Sequence, residues 1–248
     1  MITRALVVGG ASGIGLSIAT RLASREECQK VYIVDRAEVP EGAENPKFEY
    51  HKFDLMSEDF SLFDGFEDVD TVMITAGFGR LALFESVSEE HITSSMTVNA
   101  TATMRIIHHF YHRLNSTNPF RLGVMVSIAG YLSSPFFAVY GASKAALRYF
   151  IESLNVELEK GGAVNRILNV SPGSIKGTSF GGGATDLAQT EVLAEEIITH
   201  LEAGDDLFIP QYDEVYKNVL ERYHEDFREE GRRSYEYKLK SGRGKRNS

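Results

Sequence analysis

Ala5-Leu6-Val7-Val8-Gly9-Gly10-Ala11-Ser12-Gly13-Ile14-Gly15 passes from four apolar residues, through a glycine turn, into a helical pattern carried by Ile14, Ile18 and Leu22. That order is strand, turn, helix. Glycine has no Cβ to hold a ligand off. Gly9, Gly13 and Gly15 therefore let bare backbone N–H groups and a helix N-terminus approach a phosphate, whose charge the helix dipole favours. Ser12 and Ile14, inside the turn, are read as further contacts. The spacing is G-x-x-x-G-x-G, not the G-x-G-x-x-G of many dinucleotide sites. Taken alone, the stretch also fits a glycine turn with a purely structural role.

Working outward, 248 residues with 43% hydrophobic and 25% charged side chains suit one α/β domain with a large core. No run approaches the roughly 18 apolar residues of a membrane helix, and the N-terminus lacks a basic segment followed by an apolar core and cleavage site. A cytoplasmic location is expected. Cys28 is the single cysteine, which excludes an intramolecular disulfide and a thiolate metal cluster. A net charge of −9 argues against a nucleic-acid footprint. Basic residues gather only in the tail, at Lys238, Lys240, Arg243, Lys245 and Arg246, and residues 236–248 are read as a disordered end to a domain spanning 1–235.

Strand-like runs follow at 31–34, 48–53, 69–75, 122–127, 166–170 and 207–209, with helical patterns between several of them. One helix is expected from a cap at Ser88 through Met96, Ile106, Ile107 and Phe110 to Leu114, and another from Tyr140 to Leu158. The alternation implies a doubly wound parallel sheet of Rossmann type, whose ligands sit beyond the C-terminal strand ends. The glycine turn, Asp35, Asp54, Ala76-Gly77, Ser127 and Pro172-Gly173 all fall at such ends. They converge on one crevice. Residues 174–189, rich in Gly, Ser, Thr and Ala, are read as a lid over it. Tyr216, Val219, Leu220, Tyr223 and Phe227 form one stripe of a last helix, either core or subunit contact.

Tyr140 and Lys144 stand four apart, so they share a helix face and their polar ends can meet one ligand. Ser127 ends a buried strand thirteen residues before the tyrosine. A free tyrosine has a pKa of about 10, and an ammonium beside it together with a positively charged cofactor would favour the phenolate. Tyr140 would then act as general acid and base, with Ser127 holding the substrate oxygen. His108 and His112, also four apart, lack a third ligand and are read as a polar helix face, with no metal site expected. Phe136, Phe137 and Phe180 are either walls of an apolar pocket or core.

Together these residues resemble a short-chain dehydrogenase/reductase of the compact, single-domain kind, over about residues 3 to 210. The turn is similar to the family's T-G-x-x-x-G-I-G, with Val8 in place of threonine, and Thr75-Ala76-Gly77 resembles its N-A-G element. Both departures take away side chains that brace the turn. Asn99 matches the asparagine that in the family kinks the long helix and holds a water against the lysine. Ser127, Tyr140 and Lys144 match the other catalytic residues. The resemblance implies hydride transfer between a nicotinamide and a secondary alcohol or ketone, with Lys144 also holding the nicotinamide ribose. Asp54 and Leu55 match the adenine contact, and Pro172-Gly173 the turn at the nicotinamide end. Ile175 and Thr178 follow, with Gly177 where the family often has threonine. Relatives pair their long helices, so a homo-oligomer is expected, a dimer rather than a tetramer.

Asp35 closes the second strand about twenty residues past the turn and can accept from both adenosine ribose hydroxyls, which points to NAD. Arg36, next in the chain, could instead pair with the extra phosphate of NADP. Two alternatives stay open: an NADPH-preferring carbonyl or 3-oxoacyl reductase, and a non-catalytic dinucleotide-binding regulatory protein.

Overall fold

The computed structural model describes residues 1–178, 180 and 185–241. Seven parallel strands form its sheet: β1 (Arg4–Val8), β2 (Lys30–Asp35), β3 (Phe48–Lys52), β4 (Thr71–Ile74), β5 (Arg121–Met125), β6 (Ile167–Val170) and β7 (Leu207–Phe208). Their order is β3-β2-β1-β4-β5-β6-β7. The chain starts in the middle, builds outward to β3, then returns to the other side of β1. The C-terminal ends of β1 and β4 flank the crevice opened by that reversal.

Side chains along β1 alternate between the two faces, as a strand buried on both sides requires. Leu6 and Val8 enter a core with Ile106, Leu147 and Ile151. Ala5 and Val7 enter the other, with Ile18, Leu22 and Ile197. Each buried aliphatic side chain of this size stabilises the fold by about 1.5–3 kcal/mol, so both helical layers are held mainly by this apolar contact. The second layer contains α1 (Gly13–Ser24) and α6 (Leu187–Ala203), cross-linked where Arg25 reaches Glu195 at 2.6 Å and Glu202 at 2.9 Å.

The first layer contains α2 (Glu89–Met96), α3 (Ala102–His109), α4 (Tyr111–Leu114) and α5 (Ala138–Lys160). The helix expected from Ser88 to Leu114 thus runs in three pieces, and the kink that the resemblance placed at Asn99 lies between α2 and α3. A π-helical turn at Thr97–Thr101 joins α2 to α3, and a break at Phe110 separates α4. Ser88 does cap the start, accepting from the His91 amide at 3.2 Å. His108 and His112 are exposed on this layer, and on α5 Tyr149 and Val156 stay 71% and 57% exposed.

Two expectations for the C-terminal region are corrected. The stripe from Tyr216 to Phe227 is not one helix: α7 (Lys217–Glu225) stops at Asp226, which caps α8 (Phe227–Lys240) by accepting from the Arg228 and Glu229 amides. No residue of α7 is buried, so the stripe is not core. The segment read as a disordered tail from 236 onward is helical as far as Lys240, because Asp226 starts the helix and Lys238 anchors it to the sheet domain. Residues 242–248 lie outside the described residues. Among the described residues no helix is long and apolar enough to cross a membrane.

Candidate active site

The glycine turn is held to the sheet by its own backbone and by Thr75. The Gly9 amide donates to Val34 O at 2.8 Å, and the Thr75 hydroxyl lies 3.0 Å from both Val8 O and Gly9 O. The expectation that Val8 and Thr75 leave the turn unbraced is therefore overturned: the hydroxyl at 75 reaches the turn from the end of β4. Gly9 has φ +84°, and a Cβ there would stand 2.5 Å from Ala76 N. One at Gly15 would overlap the Gly9 carbonyl oxygen and Thr75 Oγ1. Ser12 flanks α1 without a side-chain capping bond, which leaves first-turn amides facing the crevice. The Gly13 amide donates to Thr185 Oγ1 at 3.0 Å, the kind of oxygen partner that a phosphate would also supply. Ile14 packs into the core beneath.

Asp35 sits at the end of β2, where Oδ2 accepts from the Ala11 amide at 3.0 Å and Oδ1 from the Ala37 amide at 3.1 Å. Its carboxylate is thereby pinned beside the turn. Arg36 is exposed next to it. Asp54 is exposed and closes a local turn by accepting from the Met56 amide at 2.9 Å, while Leu55 packs against the core.

The fold brings Asn99, Ser127, Tyr140 and Lys144 together from distant parts of the chain. Asn99 lies in the π-helical turn, wholly buried, where Oδ1 accepts from Phe78 N at 2.9 Å and Nδ2 donates to Phe78 O at 2.8 Å and Ser143 Oγ at 3.1 Å. Ser143 Oγ in turn donates to Tyr140 O at 2.7 Å. The extra residue of the π-turn swings Asn99 inward, and this chain of bonds ties it to the helix carrying Tyr140 and Lys144. Sequence reasoning missed Ser143, although its place three residues after Tyr140 allows that back-bond.

Ser127 Oγ accepts from Ala129 N at 3.1 Å and donates to Pro172 O at 3.5 Å, and Ser127 is the neighbour that favours the Tyr140 phenolate. Lys144 Nζ donates to Met125 O at 2.7 Å and lies 5.8 Å from the centre of the Tyr140 ring. A Cβ on Gly77 would stand 3.4 Å from that amine, so the bare glycine leaves room for it. The electrostatics differ from the sequence expectation. Burial pushes Tyr140 up to about 12, opposed only by Ser127, and pushes Lys144 down to about 7. Within the protein alone, desolvation sets both shifts.

These shifts make the fold sensitive to pH. Below about pH 7 native and unfolded chains both carry the Lys144 proton, and the fold bears the full cost of a buried ammonium. Between there and the ordinary lysine value of about 10.5 the native lysine is neutral first, so stability rises with pH, by about 1.4 kcal/mol for each tenfold difference in proton affinity. Tyr140 acts the other way: stability is lost as pH climbs from about 10 through 12. Urea midpoints of the protein without dinucleotide should therefore be higher at about pH 9.5 than at pH 7, and Lys144→Met should flatten that slope. Equal slopes in both proteins would contradict it.

Three side chains close over the crevice that the sequence did not place there securely. Phe180 packs on Tyr140 with ring centres 5.1 Å apart, and Phe137 lies 5.2 Å away. Tyr216, read as part of a packing stripe, sits against Gly173, where any Cβ would overlap its Oη. Only a tertiary fold-back from the segment before α7 makes that contact. Thr178 reaches the glycine turn, where its Cβ lies 3.6 Å from the position of a Cβ on Gly13. Its hydroxyl donates to Ile175 O at 3.2 Å, and Ile175 packs on the second core. The reason is the positive φ of Gly177, +74°, which turns the chain before Thr178. Of the lid, residues 179 and 181–184 lie outside the described residues.

The family model for short chain dehydrogenases matches residues 3–186. The chain belongs to this family. Among curated relatives, the human 17-beta-hydroxysteroid dehydrogenase type 1 is 31% identical over 171 residues, covering 63% of this chain and 52% of that protein. The 3-oxoacyl-(acyl-carrier-protein) reductase MabA of Mycobacterium avium is 28% identical over 207 residues, covering 83% of this chain and 74% of that protein. The short chain dehydrogenase thus spans about half the length of the first relative. A short chain dehydrogenase/reductase from Burkholderia phymatum, solved with NAD, shares the fold at TM-score 0.75 and 17% identity, covering 90% of this chain and 93% of that one.

Proposed function

We propose that this short chain dehydrogenase is an NAD-dependent oxidoreductase that interconverts a secondary alcohol and a ketone. The observation that carries this reading is Tyr140 with Ser127 as its polar neighbour and the buried Lys144 5.8 Å from its ring centre, at the strand ends where the glycine turn also lies. The residues fit a dinucleotide: Gly9 and Gly15 let the turn close tightly on Thr75 and Ala76 as side chains could not, the Gly13 amide faces a hydroxyl oxygen, and Asp35 stands beside the turn. Gly9, Gly13, Gly15, Asp35, Ala76, Gly77, Lys144 and Gly173 would hold it. When bound it supplies or accepts the hydride.

The chain's own residues handle the proton. Ser127 orients the substrate oxygen against the phenol, and Tyr140 gives its proton to that oxygen on reduction and removes it on oxidation. Lys144, 5.8 Å from the centre of the Tyr140 ring, would favour the phenolate in its protonated form, and Asn99 with Ser143 keeps the catalytic helix in register. A small cavity beside Tyr140, about 10 Å³, is lined by Arg80, Phe84, Val87, His91, Phe136 and Phe137. If these aromatic side chains move apart to admit substrate, the lining favours a carbonyl compound with an apolar body. Turnover of the cofactor against a panel of secondary alcohols and ketones tests the reading. Dinucleotide binding without turnover of any of them would leave the regulatory alternative in its place.

Preference for NAD rests on Asp35. A 2′-phosphate would meet its fixed carboxylate as a second negative charge. The exposed Arg36 favours the second reading, an NADPH-preferring reductase, and the two make opposite predictions. We expect kcat/KM to favour NAD by at least about tenfold, and Asp35→Ser to move the ratio toward NADP. A wild-type ratio favouring NADP would hand the site to Arg36.

A further inference from the structure

Phe136 is a buried residue with a left-handed backbone, φ +67°, a conformation that bulky side chains avoid and keep only where their surroundings impose it. Two sets of contacts impose it. From the sheet domain, the Ala82 amide donates to Phe136 O at 2.9 Å. From the other side comes α8. Tyr235 stacks on the Phe136 ring with centres 4.8 Å apart and planes 25° from parallel. Lys238 Nζ donates to Ser134 Oγ and to Pro135 O, each at 2.8 Å, and lies 5.4 Å from the centre of the Phe137 ring.

The start of the same helix is fastened to the same loop. Ser133 Oγ donates to Phe227 O at 3.3 Å, and a Cβ on Gly231 would stand 2.9 Å from that hydroxyl oxygen, so the helix approaches closely. The buried Glu230 accepts two bonds from Arg222, at 2.7 and 3.2 Å, which locks α8 to α7. The clamped loop leads directly into the helix of Tyr140, and Phe136 and Phe137 line the small cavity beside that residue.

We propose that α8 is a specificity element, in which Lys238 and Tyr235 are positioning residues that set the Phe136–Phe137 wall and thereby the size of ketone admitted to Tyr140. The inference rests on the acid–base reading of Tyr140. Lys238 donates to the loop rather than to a reacting atom, so its loss acts on substrate fit and leaves proton transfer to Tyr140. A lysine is suited to the task because one ammonium can serve a hydroxyl and a carbonyl at once, whereas methionine keeps the apolar stem and loses both bonds.

The test compares wild type, Lys238→Met, Lys238→Arg and Tyr235→Leu on small aliphatic and bulky aryl ketones. We expect Lys238→Met to change the bulky-to-small ratio of kcat/KM by about tenfold or more, mostly through KM, at unchanged dinucleotide Kd. Tyr235→Leu should shift the ratio in the same direction, and Lys238→Arg should restore much of it. Hydrogen exchange of residues 131–139 should quicken in Lys238→Met, with the glycine turn unaffected. An unchanged ratio, or an equal fall for every ketone alongside a lower Tm, overturns the proposal. Tyr140→Phe, run on the same panel, separates the two claims: background activity there with an unaltered Lys238→Met ratio removes the clamp alone, whereas wild-type activity removes the acid–base reading itself.

Discussion

Tyr140→Phe should lower kcat by about a hundredfold to ten-thousandfold, the range in which a positioned general acid or base contributes, while dinucleotide Kd stays within a few-fold. Only Oη is deleted. The phenylalanine ring keeps its packing on Phe137 and Phe180, at 5.2 and 5.1 Å, so the crevice retains its shape. What disappears is the hydroxyl that Ser127 orients. The pH profile gives a second readout. Burial holds Tyr140 near 12 in the free protein, so alcohol oxidation by wild type should speed up as pH rises through the alkaline range, and the residual rate of the variant should lose that dependence. Steady-state rates and a fluorescence titration with the reduced dinucleotide check both halves. Turnover within a few-fold of wild type would refute the assignment of Tyr140.

Gly15→Ala should abolish dinucleotide binding at ordinary concentrations and destabilise the fold by about 1–3 kcal/mol or more, as overpacking does when neighbours cannot yield. The added methyl would overlap the Gly9 carbonyl oxygen and Thr75 Oγ1. Neither can retreat. Gly9 is tied by its amide to Val34 O at 2.8 Å, and the Thr75 hydroxyl bridges Val8 O and Gly9 O at 3.0 Å each. The start of α1 would therefore have to lift away from β1, opening the turn meant for a phosphate. Gly65→Ala is the control, since a Cβ there meets nothing within 4 Å. Isothermal titration with NAD, alongside denaturation of both variants, checks the result. A Gly15→Ala protein that binds NAD like wild type would show that this glycine is not needed for close approach.

The parts of the site legible in the amino-acid sequence are those written in short-range spacing. Apolar Ala5 to Val8 ahead of the glycines reads as a strand running into a turn that suits a phosphate, and a tyrosine and lysine four apart on a helix must share a face. The order of strands and helices likewise implies a doubly wound sheet and a crevice at its C-terminal edge. Where the expectations fail, local pattern competes with long-range contact. The break at Phe110 is not marked in the apolar rhythm from Ser88 to Leu114, whereas the kink that the resemblance placed at Asn99 is the π-helical turn, where Phe78 and Ser143, distant in sequence, satisfy the amide.

The protonation of the site is also beyond sequence reasoning. Whether Tyr140 and Lys144 stabilise each other's charges depends on how much water each keeps, and burial is a property of the whole packed chain. The C-terminal region makes the same point. A charged helix with basic residues at its end reads as a solvated tail, but Lys238 finds Ser134 and Pro135, and Tyr235 finds Phe136, about a hundred residues earlier in the chain. Backbone periodicity and residue type determined the fold class, the phosphate turn and the Tyr140–Lys144 pair, because those follow from neighbours within one or two turns of chain. The wall of the pocket, the cover over Gly173 and the charge states of the buried pair were decided only by tertiary structure, because each depends on which distant groups exclude water from the same small volume.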